Sequence, residues 1–375
     1  MKETCRMLRG YYIYYEALSG SPGVKKKVDG QVNVLNNISV CTKLVVTREK
    51  KNIIKSIFWR LPFGSFGWEH EKALKLIEGI PDYIYIRFIP IDRKFVRFIK
   101  TLRLIYPKVK ILLEIPTYPY GKELLGQVTE FPFFCKDLLY RKKLKKYVDR
   151  IVTFSDDSYI WKVPTIHIRN GVQVNLMPSI TNEKEDDTVV LIAVAVFQKS
   201  HGYERCIRGL SDYYADDEKR RVEVHFVGNG KELAKYKKLV KRYNLESYIF
   251  FHGIQKGKEL ERIYSRADIG LGALGLYKRK LNRVSTLKTP EYLSKGLPVI
   301  VGFKEEVFSI EPIRYVCEVP NDSSDIDINM IIKFYDDIYN SGMSRKEIRE
   351  EIWEYAKRMV DLECVMQPVA EYLLN

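Results

Sequence analysis

The sequence has no long hydrophobic run. Its longest unbroken apolar stretch, Val189 to Phe197, is far shorter than the roughly 20 residues that a membrane-spanning helix needs. The N-terminus carries Arg6, Arg9 and Glu16 around a short aromatic stretch, and it has neither a long apolar region nor a small-residue cleavage site, so it does not resemble a signal peptide. We therefore expect a cytoplasmic protein without transmembrane segments.

Cysteine and histidine are also scarce. The 375 residues include six cysteines and five histidines. The cysteines are scattered, with no CxxC pair and no histidine at metal-ligand spacing, which argues against a disulfide framework and a structural zinc site. No carboxylate cluster stands at a predicted strand end. We therefore expect reduced, structural thiols, no metal and no tightly bound cofactor.

Positive charge is abundant. Lysine and arginine number 63 against 48 acidic residues, which gives a formal net charge of +15. With 46% hydrophobic and 30% charged residues, the chain is apolar enough to build sizeable cores and too apolar for disorder. A basic surface favours polyanions: nucleic acid, anionic lipid headgroups or phosphate-bearing substrates. Charge alone does not choose among them.

Short β-rich runs alternate with amphipathic helical stretches, which is the pattern of a parallel α/β sheet, and this pattern occurs twice. Two domains also agree with a prior of roughly 150 residues per domain. The predicted strands are Gly10–Tyr15, Thr42–Thr47, Tyr83–Phe88, Lys110–Ile115 and Arg150–Phe154 in the first half, and Val189–Val196, Arg221–Val227, Tyr248–His252, Ile269–Leu271 and Leu297–Val301 in the second.

A polar segment separates the two halves. Residues 170–188 have no apolar period and end directly before a buried-type strand, which indicates a linker. We predict an α/β protein of two Rossmann-like domains, residues 1–170 and 189–343, that face each other across a cleft and are joined by residues 171–188. The last segment, residues 344–375, is predicted to be helical, and packing back onto the first domain is one way to bury its apolar face.

Ligands of such sheets bind outside the carboxyl ends of the strands, and several loops there are candidates. Gly20, Ser21 and Gly23 let an anion approach a helix N-terminus closely, although a purely structural glycine-rich turn has the same appearance. The turn from Gln198 to Arg205 offers cations to a diphosphate, or is a solvated basic turn. The turn Val227–Lys231 is weak evidence for binding when taken alone.

The most specific segment is Ser285 to Ile300. Pro290 marks the start of a helix, and Gly296 marks its end. Lys288 and Glu291 therefore fall in or next to the first helical turn. A carboxylate there can accept hydrogen bonds from a ribose diol, and a lysine can pair with phosphate.

This segment resembles a known family. The pattern KxxEYLxxGLPVI at residues 288–300 is similar to the nucleotide-binding helix of the GT-B glycosyltransferases, in particular the retaining glycosyltransferase family 4. Residues 168–172, 226–230 and 251–271 agree with that family in order and spacing. In the first half, residues 14–23 and 114–120 look like relatives that build bacterial surface polysaccharides.

The resemblance implies that the second domain binds a nucleoside-diphosphate sugar, with a UDP-sugar favoured and a GDP-sugar possible. Glu291 would bind the ribose hydroxyls and the backbone near Gly253 and Ile254 the base. The diphosphate would lie against Lys288 and the loop of Lys199, His201 and Gly202. Many members carry a second glutamate eight positions before the one that matches Glu291, and this chain has Arg283 there.

The first domain would bind the acceptor. The residues that the resemblance places on this side are Gly20, Ser21, Gly23, Glu114, Thr117 and Tyr118. The implied reaction is a metal-independent hexosyl transfer that retains the anomeric configuration. In such enzymes the leaving diphosphate helps to accept the acceptor proton, so the protein mainly positions substrates, and we assign no catalytic base.

A basic segment follows in residues 131–147. It places Arg141, Lys142, Lys143, Lys145 and Lys146 beside aromatic and aliphatic residues. Such a combination suits peripheral attachment to anionic lipid at the inner face of the cytoplasmic membrane, and it fits a lipid-linked saccharide acceptor. An ordinary amphipathic helix that packs its apolar side on the sheet explains the same pattern equally well.

Two other functions are compatible with part of the sequence. A nucleotide-sugar epimerase can share this fold, but it needs acid and base side chains in the cleft and no lipid-facing surface. A nucleic-acid-binding protein would explain the charge, yet the sequence has no helix-turn-helix, zinc-finger or RNP-type motif. We therefore predict a glycosyltransferase that takes part in bacterial polysaccharide biosynthesis and has no nucleic acid partner.

Overall fold

The computed structural model describes residues 7–16, 22–50, 52–61, 64–87, 90–120, 131–175, 186–215 and 219–375. The chain divides into two compact units. The first unit comprises residues 1–169 together with 365–375, and the second unit comprises residues 170–364. The candidate residues Gly20 and Ser21 and most of the predicted linker lie outside the described residues.

The first unit is built on one seven-stranded sheet. Its strands are β1 (Leu8–Tyr15), β2 (Ser39–Val46), β3 (Tyr83–Arg87), β4 (Lys110–Ile115), β5 (Arg150–Thr153), β6 (Tyr159–Ile160) and β7 (Val163–His167). They lie in the order β2-β1-β3-β4-β5-β7-β6. All neighbours are parallel except β6 and β7. The central strands β3 and β4 are almost wholly buried, as expected for a parallel sheet that is covered on both faces.

Helices follow most of these strands. They are α1 (Pro22–Asn36), α2 (Ile53–Arg60), α3 (His70–Lys75), α4 (Arg93–Ile105) and α5 (Phe131–Tyr140), with a 3₁₀ helix at Arg141–Lys146. Helix α4 begins after an N-cap residue, Asp92. The Asp92 carboxylate accepts hydrogen bonds from the backbone N–H groups of Phe95 at 2.8 Å and Phe66 at 2.6 Å, which caps the helix and ties it to the segment before α3.

The second unit contains a six-stranded parallel sheet. Its strands are β8 (Val189–Phe197), β9 (Val222–Gly230), β10 (Ile249–Gly253), β11 (Ile269–Leu271), β13 (Val299–Val301) and β15 (Val316–Glu318), and a separate pair is formed by β12 (Arg283–Val284) and β14 (Lys304–Glu305). The order in the sheet is β10-β9-β8-β11-β13-β15. The helices are α6 (Glu204–Tyr213), α7 (Leu233–Arg242), α8 (Gly257–Arg266), α9 (Lys288–Leu293), α10 (Glu306–Ile310), α11 (Ile328–Tyr339) and α12 (Arg345–Met359), with short 3₁₀ helices at Lys199–His201 and Leu276–Arg279.

The C-terminal segment forms two helices rather than one continuous element. Helix α12 packs Ile348, Ile352 and Ala356 into the core of the second unit. The last helix, α13 (Leu362–Leu374), belongs to the first unit from residue 365 onward. It contributes Val365, Met366, Val369 and Leu373 to a core cluster of that unit. The return of the chain end to the first unit, which the sequence allowed, is therefore present.

The predicted fold class is confirmed, because both sheets are mixed α/β units whose strands are almost all parallel. The sequence did not predict β6, β7 and β15, or the helices α2, α3 and α11. No helix among the described residues is long and apolar enough to cross a membrane. Five of the six cysteines lie in the described ranges, and all five are free thiols.

The net charge is distributed unequally. Of the 63 lysines and arginines, 32 lie in the first unit with 17 of the 48 acidic residues, so the second unit holds the other 31 of each sign. The whole formal charge of +15 therefore belongs to the first unit, and the second unit is neutral. A partner attracted by net positive charge is accordingly attracted to the first unit.

Candidate functional site

The carboxyl edge of the second sheet gathers the predicted donor residues. Strand β8 ends at Phe197 and leads into the 3₁₀ turn Lys199–His201, while β10 ends at Gly253. Because neighbouring strands run parallel, their carboxyl ends and the loops that follow lie at one edge. Helix α9, which carries Lys288 and Glu291, begins and ends close to the predicted positions.

His201 is held as a neutral hydrogen-bond donor. The backbone N–H of Gln198 donates to its Nδ1 at 3.1 Å, so the neutral ring carries its proton on Nε2. Burial, with the nearby positive charge of Lys288, lowers the pKa of His201 to about 3. At neutral pH the ring therefore offers an Nε2–H group and no charge.

Gly202 follows in a conformation that favours glycine, with φ of +63°. A Cβ atom there would lie 2.6 Å from the backbone nitrogen of Gly275, in the loop after β11. Leu274 also donates its N–H to the carbonyl of His201 at 2.8 Å. The loops after β8 and β11 are therefore in direct backbone contact, which fixes the position of the His201 ring.

Lys288 and Glu291 lie one turn apart on α9, and both side chains are half-buried. The Lys288 ammonium donates to the carbonyl oxygen of Val194 in β8 at 2.6 Å. Burial lowers the pKa of Lys288 to about 8, and the negative charge of Glu291 opposes this shift. The amine is therefore mainly charged at neutral pH, and its remaining N–H donors are available to an anion.

Lys199, Gly253 and Ile254 are exposed at the same edge. Lys199 has no ion pair within the described part of the chain. Gly253 has φ of +66° with open space around its Cα atom, and the side chain of Ile254 is 65% exposed. Exposed backbone beside an exposed apolar side chain offers both hydrogen bonds and a stacking surface to a flat ring.

Arg205, the last cation of the predicted basic turn, is not available to a ligand, and its nearest carboxylate is that of Asp322 at 3.7 Å. It is fully buried and donates to the carbonyl oxygens of Leu274 at 2.6 Å and Pro320 at 2.9 Å. Its guanidinium group thereby connects the start of α6 to the loops that contain Leu274 and Pro320. The sequence could not show this, because the acceptors are backbone groups far along the chain.

The structure adds Glu305, which sequence reasoning missed. This buried carboxylate accepts hydrogen bonds from Thr286, at 3.0 Å from the backbone N–H and 2.8 Å from the hydroxyl. Burial raises its pKa to about 7, although the hydrogen bonds from Thr289 and Thr286 act in the opposite direction. Glu305 thereby positions the loop that leads into α9, and no local sequence signal marks it for this role.

Glu114 does not line an open surface, which corrects its predicted place on the acceptor side. It is completely buried and accepts hydrogen bonds from Gln31 at 3.0 Å, Tyr85 at 2.7 Å and Arg87. Burial acts to raise its pKa, but the charges of Arg87 and Lys27 outweigh burial and hold the pKa below its ordinary value. Glu114 is an internal counter-ion of this network.

The other acceptor-side candidates are more accessible. Thr117 is exposed and Tyr118 half-buried in the segment after β4, and Gly23 is exposed in the first turn of α1. These three residues remain open to a ligand of the first unit.

Helix α5 buries two charged residues and exposes several apolar ones. Lys136 and Asp137 are fully buried, whereas Phe131, Leu138 and Leu139 are exposed. Lys136 donates to the backbone carbonyls of Trp59 and Gly64, and Asp137 accepts from the Tyr120 hydroxyl at 2.5 Å. The helix therefore contacts the core through these two charged residues together with Phe133 and Tyr140, and it leaves three apolar side chains exposed.

The basic 3₁₀ helix continues from this apolar surface. Lys142, Lys143, Lys145 and Lys146 are exposed. Arg141 differs, because it is half-buried and pairs with Asp137 at 3.2 Å. Four of the five predicted surface cations are thus free to meet a partner, and the fifth stabilises the fold. Lys136 also ties α5 to the end of α2, a segment in which Ile57, Phe58 and Leu61 are exposed.

Comparisons with known proteins agree with this architecture. The model of the family "Glycosyl transferases group 1" matches residues 179–272. A sequence comparison with curated proteins gives no match.

Solved structures resemble nearly the whole chain. HepE from Anabaena, solved in complex with UDP and glucose, has 12% identity and a TM-score of 0.63 over 98% of this chain and 99% of its own. Sucrose-phosphate synthase from Thermosynechococcus elongatus has 14% identity and a TM-score of 0.64 over 97% and 98%. The lipopolysaccharide outer core galactosyltransferase WaaB has 14% identity and a TM-score of 0.57 over 97% and 99%. The fold is thus that of the two-domain GT-B glycosyltransferases, and the family-model match supports a glycosyltransferase with this fold.

Proposed function

We propose that this chain transfers a sugar from a nucleoside-diphosphate sugar to a saccharide acceptor, with retention of the anomeric configuration and without a metal. The observation that carries the proposal is the arrangement of Lys288 and Glu291 on one turn of α9, beside the Nε2–H donor of His201 at the carboxyl edge of the second sheet. The family-model match over residues 179–272 supports it. UDP is the favoured nucleotide because HepE was solved with it, and GDP remains an alternative.

Each donor group has a role that follows from its chemistry. Glu291 accepts hydrogen bonds from the ribose diol, and the exposed turn at Gly253 and Ile254 receives the base. Lys288, Lys199 and the His201 Nε2–H group face the diphosphate. When the bond between the anomeric carbon and the diphosphate oxygen breaks, negative charge grows on that oxygen. Cations and N–H donors already in place stabilise it without reorganisation.

The acceptor hydroxyl then forms the new bond on the same face of the sugar. Its proton goes to the departing diphosphate oxygen, so the step balances without a side-chain base. This assignment is consistent with the neutral state of His201, whose Nδ1 is occupied by the Gln198 N–H group. Because the pKa of Lys288 is about 8, we expect diphosphate affinity to fall as pH rises through 8.

We further propose a lipid-linked acceptor that is met at the anionic inner face of the cytoplasmic membrane, in polysaccharide biosynthesis. The exposed apolar side chains of α5 and the four exposed lysines after it support this location. Apolar side chains that enter the headgroup region beside lysines that contact anionic lipid form a peripheral membrane surface. The +15 charge of the first unit acts in the same direction.

The donor site is tested by thermal unfolding with UDP, GDP, ADP and their sugar conjugates, for the wild type, Glu291→Ala and the control Glu246→Ala, which removes an exposed glutamate far from α9 in sequence. A ligand at 100 times its Kd stabilises the state that binds it by about 2.7 kcal/mol. We expect one nucleoside diphosphate to stabilise the wild type and the control but not Glu291→Ala. The absence of any nucleotide effect would contradict the donor site.

Product analysis separates transfer from epimerisation. A glycosyltransferase releases the nucleoside diphosphate only when an acceptor is present or water replaces it. An epimerase converts one nucleotide sugar into another and releases none. Incubation with the stabilising nucleotide sugar, followed by separation of the nucleotides, therefore distinguishes the two reactions.

A further inference from the structure

The second unit has a small cavity that the donor residues do not line. Its volume is about 130 Å³. The lining residues come from β9, from β10 and the turn after it, and from α8: His225, His252, Gln255, Glu259, Arg262, Ile263 and Arg266. Two histidines and two arginines therefore converge on this cavity.

Two of the lining residues form a directed hydrogen-bond chain with Glu223. The Glu223 carboxylate lies 3.2 Å from Nε2 of His225, and Nδ1 of His225 lies 2.9 Å from Nε2 of His252. The carboxylate only accepts, so His225 carries its proton on Nε2 and accepts one from His252 at Nδ1. The neutral His252 ring then has one unprotonated nitrogen, Nδ1.

A proton on Nδ1 turns His252 into a cation. Burial and the neighbouring His225 lower the pKa of His252, so the empty cavity favours the neutral ring. The charged groups around the histidine pair are Arg221 and Glu223 at the start of β9, and Glu259, Arg262 and Arg266 on α8. An anion in the cavity would oppose the effect of burial and favour the protonated ring.

The two arginines supply the fixed positive charge. Arg262 and Arg266 are exposed and lie one turn apart on the same face of α8. Neither forms an ion pair within the described part of the chain, although Glu259 belongs to the same lining. Planar guanidinium groups that have no carboxylate partner and flank a histidine are typical of sites for oxyanions.

We propose that His252, Arg262 and Arg266 form a binding site for a phosphate-type anion in the second unit. A cavity of about 130 Å³ is smaller than the roughly 300 to 1,000 Å³ of sites for drug-sized ligands, so it accommodates a single phosphoryl group rather than a nucleotide. Gly253 and Ile254, which follow His252 in the sequence, do not line this cavity, so the proposal does not depend on the donor assignment. Gln255, which does line it, donates to the His252 carbonyl at 2.7 Å.

The test follows the five histidines by NMR from pH 5 to 8, with inorganic phosphate or with chloride at equal ionic strength. His225→Gln and His252→Gln assign the signals. We expect phosphate to raise the apparent pKa of the histidine pair in the wild type and in Lys258→Gln, a control that removes an exposed lysine of α8 outside the cavity lining. The double variant Arg262→Gln, Arg266→Gln should lose this shift.

Calorimetry at pH 6 measures the affinity directly. The double variant should bind phosphate at least about tenfold more weakly than Lys258→Gln, a difference of about 1.4 kcal/mol. Repetition with Lys288→Gln separates this cavity from the donor site, because a phosphate effect at the histidines that is lost in this variant would come from the donor site and overturn the proposal. Equal phosphate affinity in the wild type and the double variant would also overturn it. Loss of nucleotide binding in the donor experiment leaves this result unaffected.

Discussion

Both units consist of a mainly parallel sheet with helices, but they differ in net charge. The first unit carries the entire formal charge of +15, and the second unit has equal numbers of cationic and acidic side chains. In the neutral unit a few cations at the carboxyl edge of the sheet suffice for a proposed donor site. The basic composition of the chain is therefore a property of the first unit.

The buried carboxylates of the two units show the same contrast. Glu114 lies against the charges of Arg87 and Lys27, and its pKa is lowered despite burial. The donors to Glu305 among the described residues are threonine hydroxyls and a backbone N–H group. Burial, with the nearby charge of Glu306, raises the pKa of Glu305 to about 7. Whether a buried carboxylate remains ionised is thus decided by the cations beside it rather than by burial alone.

The largest effect is expected on membrane binding, when the exposed positive charges after α5 in the first unit are removed. Replacement of Lys142, Lys143, Lys145 and Lys146 by glutamine should weaken binding to vesicles with anionic lipid by about 4 kcal/mol, since each lysine near such a surface contributes about 1 kcal/mol. This corresponds to roughly a thousandfold loss of affinity. Sedimentation with vesicles of defined anionic content measures it.

A matched control comes from the second unit. Lys231, Lys237, Lys238 and Lys241, in and just before α7, are also exposed. Their replacement by glutamine removes the same charge and should leave the affinity for anionic vesicles within about twofold of the wild-type value. Equal losses of affinity in the two variants would mean that vesicle binding depends on net charge rather than on the surface next to α5. If the variant that lacks the four lysines after α5 lost vesicle binding but still bound random DNA, nucleic acid would become the next partner to test.

The next effect concerns the buried carboxylates. Glu114→Gln leaves the buried Arg87 guanidinium without its counter-charge. It also removes the negative charge that opposes the effect of burial on Lys27, whose pKa is lowered to about 7, so we expect a loss of about 3 kcal/mol in the free energy of unfolding at pH 7. Glu305→Gln removes a carboxylate that is already half-protonated there and should change stability by less than about 1 kcal/mol. Chemical denaturation of the two variants and the wild type measures both. A smaller loss for Glu114→Gln than for Glu305→Gln would refute the assignment of charge states.

The two carboxylates also differ in the sign of their pH dependence. The folded pKa of Glu114 is below its unfolded value, so its contribution is present at neutral pH and is lost as pH falls through the folded pKa. The folded pKa of Glu305 is raised to about 7, so the wild type loses stability as pH rises from about 4.3 to 7. The Glu305→Gln variant should not show this loss of stability between pH 4.3 and pH 7, roughly the unfolded and folded pKa values of the carboxyl group.

The smallest effect comes from a feature that the two units share. Burial lowers the pKa of both His70, in the first unit, and His201, in the second, to about 3. Because the folded pKa is below the unfolded value of about 6.5, each contributes stability above pH 6.5 that decreases as pH falls. We expect each of His70→Gln and His201→Gln to reduce the stability loss between pH 7 and 5.5 by about 1 kcal/mol. If the free energy of unfolding depended on pH in both variants as it does in the wild type, the assignment of neutral, buried rings to His70 and His201 would be wrong.

The repeated α/β pattern was predictable because it depends on local periodicity. Strand β8 begins at the predicted residue, and α9 begins two residues before the proline that marked its start, since an apolar run and a proline near a helix start act over a few residues. The short elements α2, α3 and β6 were not predicted, because they contain too few residues for a period to show. The helical segment 131–140 was visible, but the side that it buries was not.

The sequence by itself determined the fold class, the loops at the strand ends and the residue types available there. Tertiary structure alone decided which charges are sites and which are internal supports. Lys136 bonds to a carbonyl 77 residues away, Arg87 pairs with a carboxylate 27 residues away, and Glu305 holds a threonine 19 residues before it. The physical reason is that the role of a charged group depends on its burial and on its partner, and both are set by chain segments that meet only when the sheets form.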